Sequence, residues 1–381
     1  GNLGDAALTV SSGTFTIGNG ATISGAASIV VAGTLTGDAA ILSGETISGA
    51  GTVAVTNLEN TDAANLSSIT ATTHTADVSG SNTSFTGNLG DAALTVSSGT
   101  FTIGNSATTS SAASITVASG AILSGDAAIL TGDTIGGAGT VAVTNLEVTD
   151  GADLSSITAT THTAEVSGSN TSFTGNLGDA ALTVSSGTFT IGNGATISSA
   201  ASMSVSGGAT LSGEASKLTG ESVSGTGTVE VTNLDATATA NLSSLTSTSV
   251  TAVSDGAVSF TGNLGKAALT INGNSTFDAT TTANLGTGTI LVTTGSTLNV
   301  GNTAGLGSGT VTVNGTLNAD ASKVSGKTID GTGTTAVTNL ELTDNANLSS
   351  ITTTTHTADV SGDNTSFTGN LGDAALTVSS G

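Results

Sequence analysis

Apolar residues along this chain fall in short alternating runs. Leu8-Thr9-Val10 reads apolar, polar, apolar, and Thr14-Phe15-Thr16-Ile17 and Ala21-Thr22-Ile23-Ser24 alternate in the same way. Successive side chains of a strand point to opposite faces, so a period of two over a few residues predicts half-buried β-strands. Gly or Asn breaks the runs at Gly13, Gly18-Asn19-Gly20 and Gly33. Val10, Phe15, Ile17 and Ile23 are the residues expected to face inward. Gly, Thr, Ser and Val are abundant while Lys, Arg, Glu and Met are scarce, which disfavours helix throughout.

The runs are organised by repetition at two lengths. The string GNLGDAALTVSSG occupies Gly1–Gly13 and returns at Gly87, Gly175 and Gly369, with the variant GNLGKAALTINGN at Gly262. The spacings are 86, 88, 87 and 107 residues, so the last interval exceeds the one before it by 20. A matching short period is visible inside that longer repeat, where Leu269-Thr270-Ile271, Ile290-Leu291-Val292 and Val311-Thr312-Val313 begin 21 residues apart. A stacked structure accepts a whole extra unit where a globular domain does not. These periods predict an all-β, right-handed parallel β-solenoid of about 21 residues and three short strands per coil, with the hand taken from the strong preference of parallel crossovers. One solenoid is expected over residues 1–381, in repeats 1–86, 87–174, 175–261 and 262–368 (the last with one extra coil), with 369–381 opening a further repeat. About 17 coils follow, each stacked at about 4.8 Å on the next.

The long repeat carries Asn302-Thr-Ala-Gly-Leu-Gly-Ser-Gly-Thr-Val-Thr-Val-Asn-Gly-Thr-Leu-Asn318. This stretch resembles the strand-associated repeat of bacterial autotransporter passenger domains and related giant surface adhesins, over Ala267 to Leu317. The resemblance implies a right-handed parallel β-helix, export and display at a cell surface.

Composition narrows the chemistry. Charged residues are 8% of the chain, aromatics 2% and all Phe, and Pro, Cys, Trp and Tyr are absent. A mean hydropathy of +0.27 sets the chain apart from disordered polymers, which combine low hydropathy with dense charge. The core must be built of Ala, Val, Ile, Leu and Thr, which suits a thin regular stack. The net charge of −23, with no Arg and only Lys217, Lys266, Lys323 and Lys327, excludes a nucleic-acid partner, because phosphate binding needs clustered cations. No run approaches the 18 apolar residues of a membrane span, so no membrane insertion is expected. Thiol chemistry and disulfides are excluded.

Candidate sites are few. His74, His162 and His356 occupy one repeat position, in the string THTA, and Val250 replaces them in the third repeat. A position that accepts His or Val reads as a packing or surface site. A recurrent acidic turn follows TNL: Glu59, Asp62 and Asn65, then Glu147, Asp150 and Asp153, then Glu341, Asp344 and Asn347, with Asp235, Ala238 and Asn241 as the departure. Hard oxygen ligands suit Ca²⁺, so weak Ca²⁺ binding is conceivable there, against the alternative of a solvated turn with local side-chain hydrogen bonds. No catalytic, cofactor or metal residue is assigned and no enzyme is expected.

The sequence therefore predicts an extracellular or cell-surface structural repeat protein forming a rod, fibre or filament. The alternative is the stalk of a giant adhesin whose binding tip lies elsewhere. A minor alternative is ice binding through Thr-x-Thr pairs such as Thr14/Thr16 and Thr34/Thr36, although Thr16 and Thr36 are not separated by a constant coil step. The chain opens and closes on the same 13 residues, so self-association end to end or continuation in a longer array is expected.

Overall fold

The computed structural model describes all residues except 83, 110–111, 257–259, 278–284, 302–303, 364–365 and 380–381; the first two residues of the Asn302–Asn318 stretch thus lie outside the described ones. Two compact units are present: Gly1–Phe189 with Gly194–Ser202, and Thr190–Asn193 with Met203–Gly381. Both are β-solenoids of stacked parallel strands, with about 18 turns in all and about 20 residues per turn.

In the first unit Leu8–Val10 pairs with Ile29–Val31, which pairs with the start of Ile47–Thr56, which pairs with the start of Ile69–Val78. On the adjacent side Thr14–Thr16 carries Thr34–Asp38, which carries the second half of Ile47–Thr56. In the second unit the same architecture runs from Thr210–Glu214 through Thr228–Thr232 and Ser249–Ser254 to Ala268–Ile271 and Ile290–Val292. The coil length is not constant. Leu8 lies opposite Ile29, Leu35 opposite Val53 and Asn274 opposite Thr297, so successive coils absorb length differences in their turns while the strands keep register.

Two sides of a coil are strands, and the third is closed by irregular pieces. Single bridges such as Asn65 to Asn88 and Asn88 to Thr108 serve some coils. Others use a four-residue helix, at Ala39–Leu42, Ala127–Leu130, Ala215–Leu218 and Ala321–Val324. Helix forms here against the general composition because an acid precedes an Ala-led segment that ends on a buried Leu or Val. The Asp38 and Asp320 carboxylates accept from the backbone N–H of Ala40 and Ser322, the N-cap bond that satisfies an otherwise orphaned donor. The coil above adds a second bond. Asn57, Asn145, Asn233 and Asn339 all take the left-handed conformation, and each donates its side-chain amide to the capping acid, at 3.0 Å to Asp38 and 2.7 Å to Asp126.

The core is one residue deep, as alternation requires. Val10, Ile17 and Ile23 are buried, and Phe85, Phe101, Phe173, Phe189 and Phe260 are fully so. The Phe85 and Phe101 rings of successive coils meet at 5.4 Å between centroids, and Phe173 and Phe189 repeat that contact. Phe15 departs from expectation: it is 45% exposed. Its strand, Thr14–Thr16, pairs with Thr34–Thr36. Phe367 is half-buried.

Each long repeat ends on a junction strand that serves two registers. Thr161–Ala164 pairs with Thr140–Val143 of the coil before, while Thr163–Val166 pairs with Ala181–Val184, the opening strand of the next repeat. Ile69–Val78, Ser249–Ser254 and Thr355–Val360 do the same. Gly175 lets the chain pass closely at this point, since a Cβ there would lie 2.0 Å from the Ala152 carbonyl oxygen.

Candidate functional site

The junction strand positions the three histidines. Along Thr161-His162-Thr163-Ala164 the side chains alternate, with His162 and Ala164 inside. The loop above is built by Asn176, whose side-chain oxygen accepts from the Gly178 N–H at 3.0 Å, with Gly178 at φ +58°. That tight turn sets Asp179 over the junction strand, where its Oδ1 lies 2.9 Å from Nδ1 of His162. The pairs His74–Asp91 at 2.9 Å and His356–Asp373 at 3.1 Å repeat the arrangement. Each imidazole side chain is 1% exposed, while the carboxylates face solvent.

The buried ring is satisfied on one side only. Nε2 of His74, His162 and His356 is enclosed without a hydrogen-bond partner. The bond from Nδ1–H to the carboxylate fixes the tautomer that leaves Nε2 a bare acceptor. Protonating Nε2 of His162 would bury both a charge and an unpaired donor. Burial pushes the His162 imidazole below the ordinary histidine range, against the opposing pull of the hydrogen bond and charge of Asp179.

The third repeat is built differently. Val250 stands at the His162 position, opposite Val229 as His162 is opposite Val141. Lys266 stands where Asp179 does in the GNLG loop, and its Nζ donates to the Thr246 carbonyl oxygen at 2.9 Å. The sequence left the histidines as a packing or surface position; they are buried, and their carboxylate partners went unseen. The signal was present: among the five GNLG strings, the one that loses Asp follows the one THTA position that loses His.

The acidic turns do not converge. Glu59 accepts from the backbone N–H and the hydroxyl of Ser79, both at 3.2 Å, and Glu147 with Ser167 and Glu341 with Ser361 do likewise. Asp150 accepts from the Thr171 hydroxyl at 2.6 Å. Asn65 and Asp153 turn to the serine two residues on, and in Asp153 those bonds, side chain first, lower the carboxyl. Asp235 accepts from the N–H of Asp255 at 3.3 Å. These are tethers from one coil to the next or within a turn. Among the described residues no three His, Cys, Asp or Glu side chains gather to hold a metal ion.

The lysines are as scattered as their spacing predicts: Lys217 and Lys323 lie in the last turns of two short helices, and Lys327 donates to the Gly307 carbonyl oxygen. Among the described residues no helix is long and apolar enough to cross a membrane.

The fold defines a β-solenoid repeat protein. Comparison with family models, curated proteins and solved structures finds no match.

Proposed function

We propose that this chain is a structural stretch of an extracellular or cell-surface β-solenoid, a section of a fibre, sheath or stalk with no catalytic role. One observation carries the reading: the acidic side chains that recur from repeat to repeat are spent on tethers from one coil to the next or within a turn. Glu59, Glu147 and Glu341 tether the serine about one coil on, and the capping acids bind the asparagines of the next coil. The charge of −23 keeps such a polymer soluble by self-repulsion. The resemblance of Ala267 to Leu317 to surface-adhesin repeats points to the outside of a cell. Immunolabelling of intact source cells with antibody against the Gly87–Gly99 string tests it. Label on the surface or on released filaments is expected; label that appears only after permeabilisation overturns it. An adhesin stalk gives the same label, and is distinguished by purified chain that does not self-associate.

A second reading draws on a register that spacing alone misjudged. Thr14 lies opposite Thr34 and Thr16 opposite Thr36, in direct pairing. Thr34 continues to Thr52 and Thr73, while Thr36 continues to Ala54 and then Thr75. Such an outward column is the arrangement an ice-binding face would use, although Ala54 interrupts it; in the other unit, taken by itself, Glu230 lies opposite Ser212. Thermal hysteresis of the purified chain decides this reading: none at millimolar concentration removes it.

A further inference from the structure

We propose that His162–Asp179 is an acid-sensitive latch between the last coil of one long repeat and the first coil of the next, and that Val250–Lys266 is its acid-insensitive counterpart. The geometry supplies the device. The imidazole sits inside the junction strand, the carboxylate sits outside on the next repeat, and one 2.9 Å bond links them. Above neutral pH the ring is neutral, Nδ1–H donates to Asp179, and only an acceptor nitrogen is left in the apolar core. A second proton has no acceptor at Nε2. It is accommodated by releasing the ring to water, which separates Thr161–Val166 from the strands it joins.

Among the described residues Asp179 is the one charge that acts on the ring. The strand beneath, Thr140–Thr144, carries no ionisable residue, the loop above contributes Asp179, and Glu165 on the same strand is exposed and accepts from the Ser185 hydroxyl at 2.6 Å. Asp133 and Glu221, both raised by burial, hold the same repeat position in the two repeats, so their titration is common to both junctions.

The folded imidazole is pushed below its ordinary value of 6.5, so the opened state binds the extra proton more readily. The stabilisation is complete above about pH 6.5 and is lost as pH falls below it, with opening rising by up to about tenfold per pH unit.

The test is hydrogen exchange of the full chain by mass spectrometry at pH 7.5 and pH 5.5, corrected for the intrinsic exchange rate. Peptides spanning Thr161–Val166 should lose protection on acidification, by at most about tenfold, and clearly more than peptides spanning Ser249–Ser254 in the same molecule. His162→Val should abolish the acid response, and His162→Val with Asp179→Lys should reproduce the third-repeat junction. Equal acid responses in the two wild-type peptides, or an undiminished response in His162→Val, would overturn the proposal. The wild-type comparison requires no variant to fold.

Discussion

The junctions at Thr161–Val166 and Ser249–Ser254 share a backbone and differ in what they enclose. Both pair downward in their first four residues and upward in their last four. The first buries an imidazole held by a carboxylate across the coil boundary. The second buries Val250 in its place and moves its buried polar group to Ser254, whose hydroxyl lies 3.0 Å from that of Ser275. The lesson is that the solenoid fixes where a side chain points but not its chemistry, provided a buried polar group finds a partner. His and Asp form one consistent set, Val and Lys another, and the mixed sets leave a charge or a ring nitrogen misplaced.

The largest expected effect tests whether the two junctions share one apolar skeleton. Phe173 and Phe260 are both fully buried at the coil end, so Phe173→Ala and Phe260→Ala should each cost about 3–5 kcal/mol in denaturant melts. A much smaller loss at either position would show that the frameworks differ beneath their common register.

Exchange between the sets comes next. Val250→His with Lys266 retained places an imidazole in the core with a cation where its carboxylate partner should be. It should destabilise by about 1–3 kcal/mol, and Lys266→Asp added to it should recover most of the loss. Melts at pH 7.5 measure both; absence of recovery would break the comparison by showing that the pairs are not interchangeable units.

The smallest effect lies at the acidic turns. Glu147 makes two bonds to Ser167 at 3.1 Å, whereas Asp235 in the third repeat makes one longer bond to the Asp255 N–H. Glu147→Gln should cost about 1 kcal/mol or less because the site is partly solvated, and Asp235→Asn should cost less still. A reversed order would mean that the turn contributes by charge and not by tethering.

Much of this was legible along the chain because the solenoid is locally coded. Alternation in Thr100-Phe101-Thr102-Ile103 places Phe101 inside without reference to any other coil, and the 21-residue echoes announce the stack. Phe15 shows the limit of that reasoning: the same alternation is present, yet the ring is 45% exposed, because burial is set by what stacks against a strand and not by its alternation alone. The helix at Ala39–Leu42 was hidden by composition, although Asp38 before Ala-Ala-Ile-Leu was its local signal.

Sequence by itself thus determined the strands, the repeat lengths, the inward residues of interior coils and the absence of clustered cations, since each depends on neighbours a few residues apart or on simple composition. The tertiary structure alone decided which coil residues lie opposite one another. Turns of unequal length shift the step from Leu35–Val53 to Asn274–Thr297, so equal spacing cannot find the partners. That is why Thr16 and Thr36 proved to be neighbours, and why the carboxylate that holds His162 lies 17 residues away in another repeat: the stacking that joins them is set by the hydrogen-bonded register of whole strands, not by any motif the two residues share.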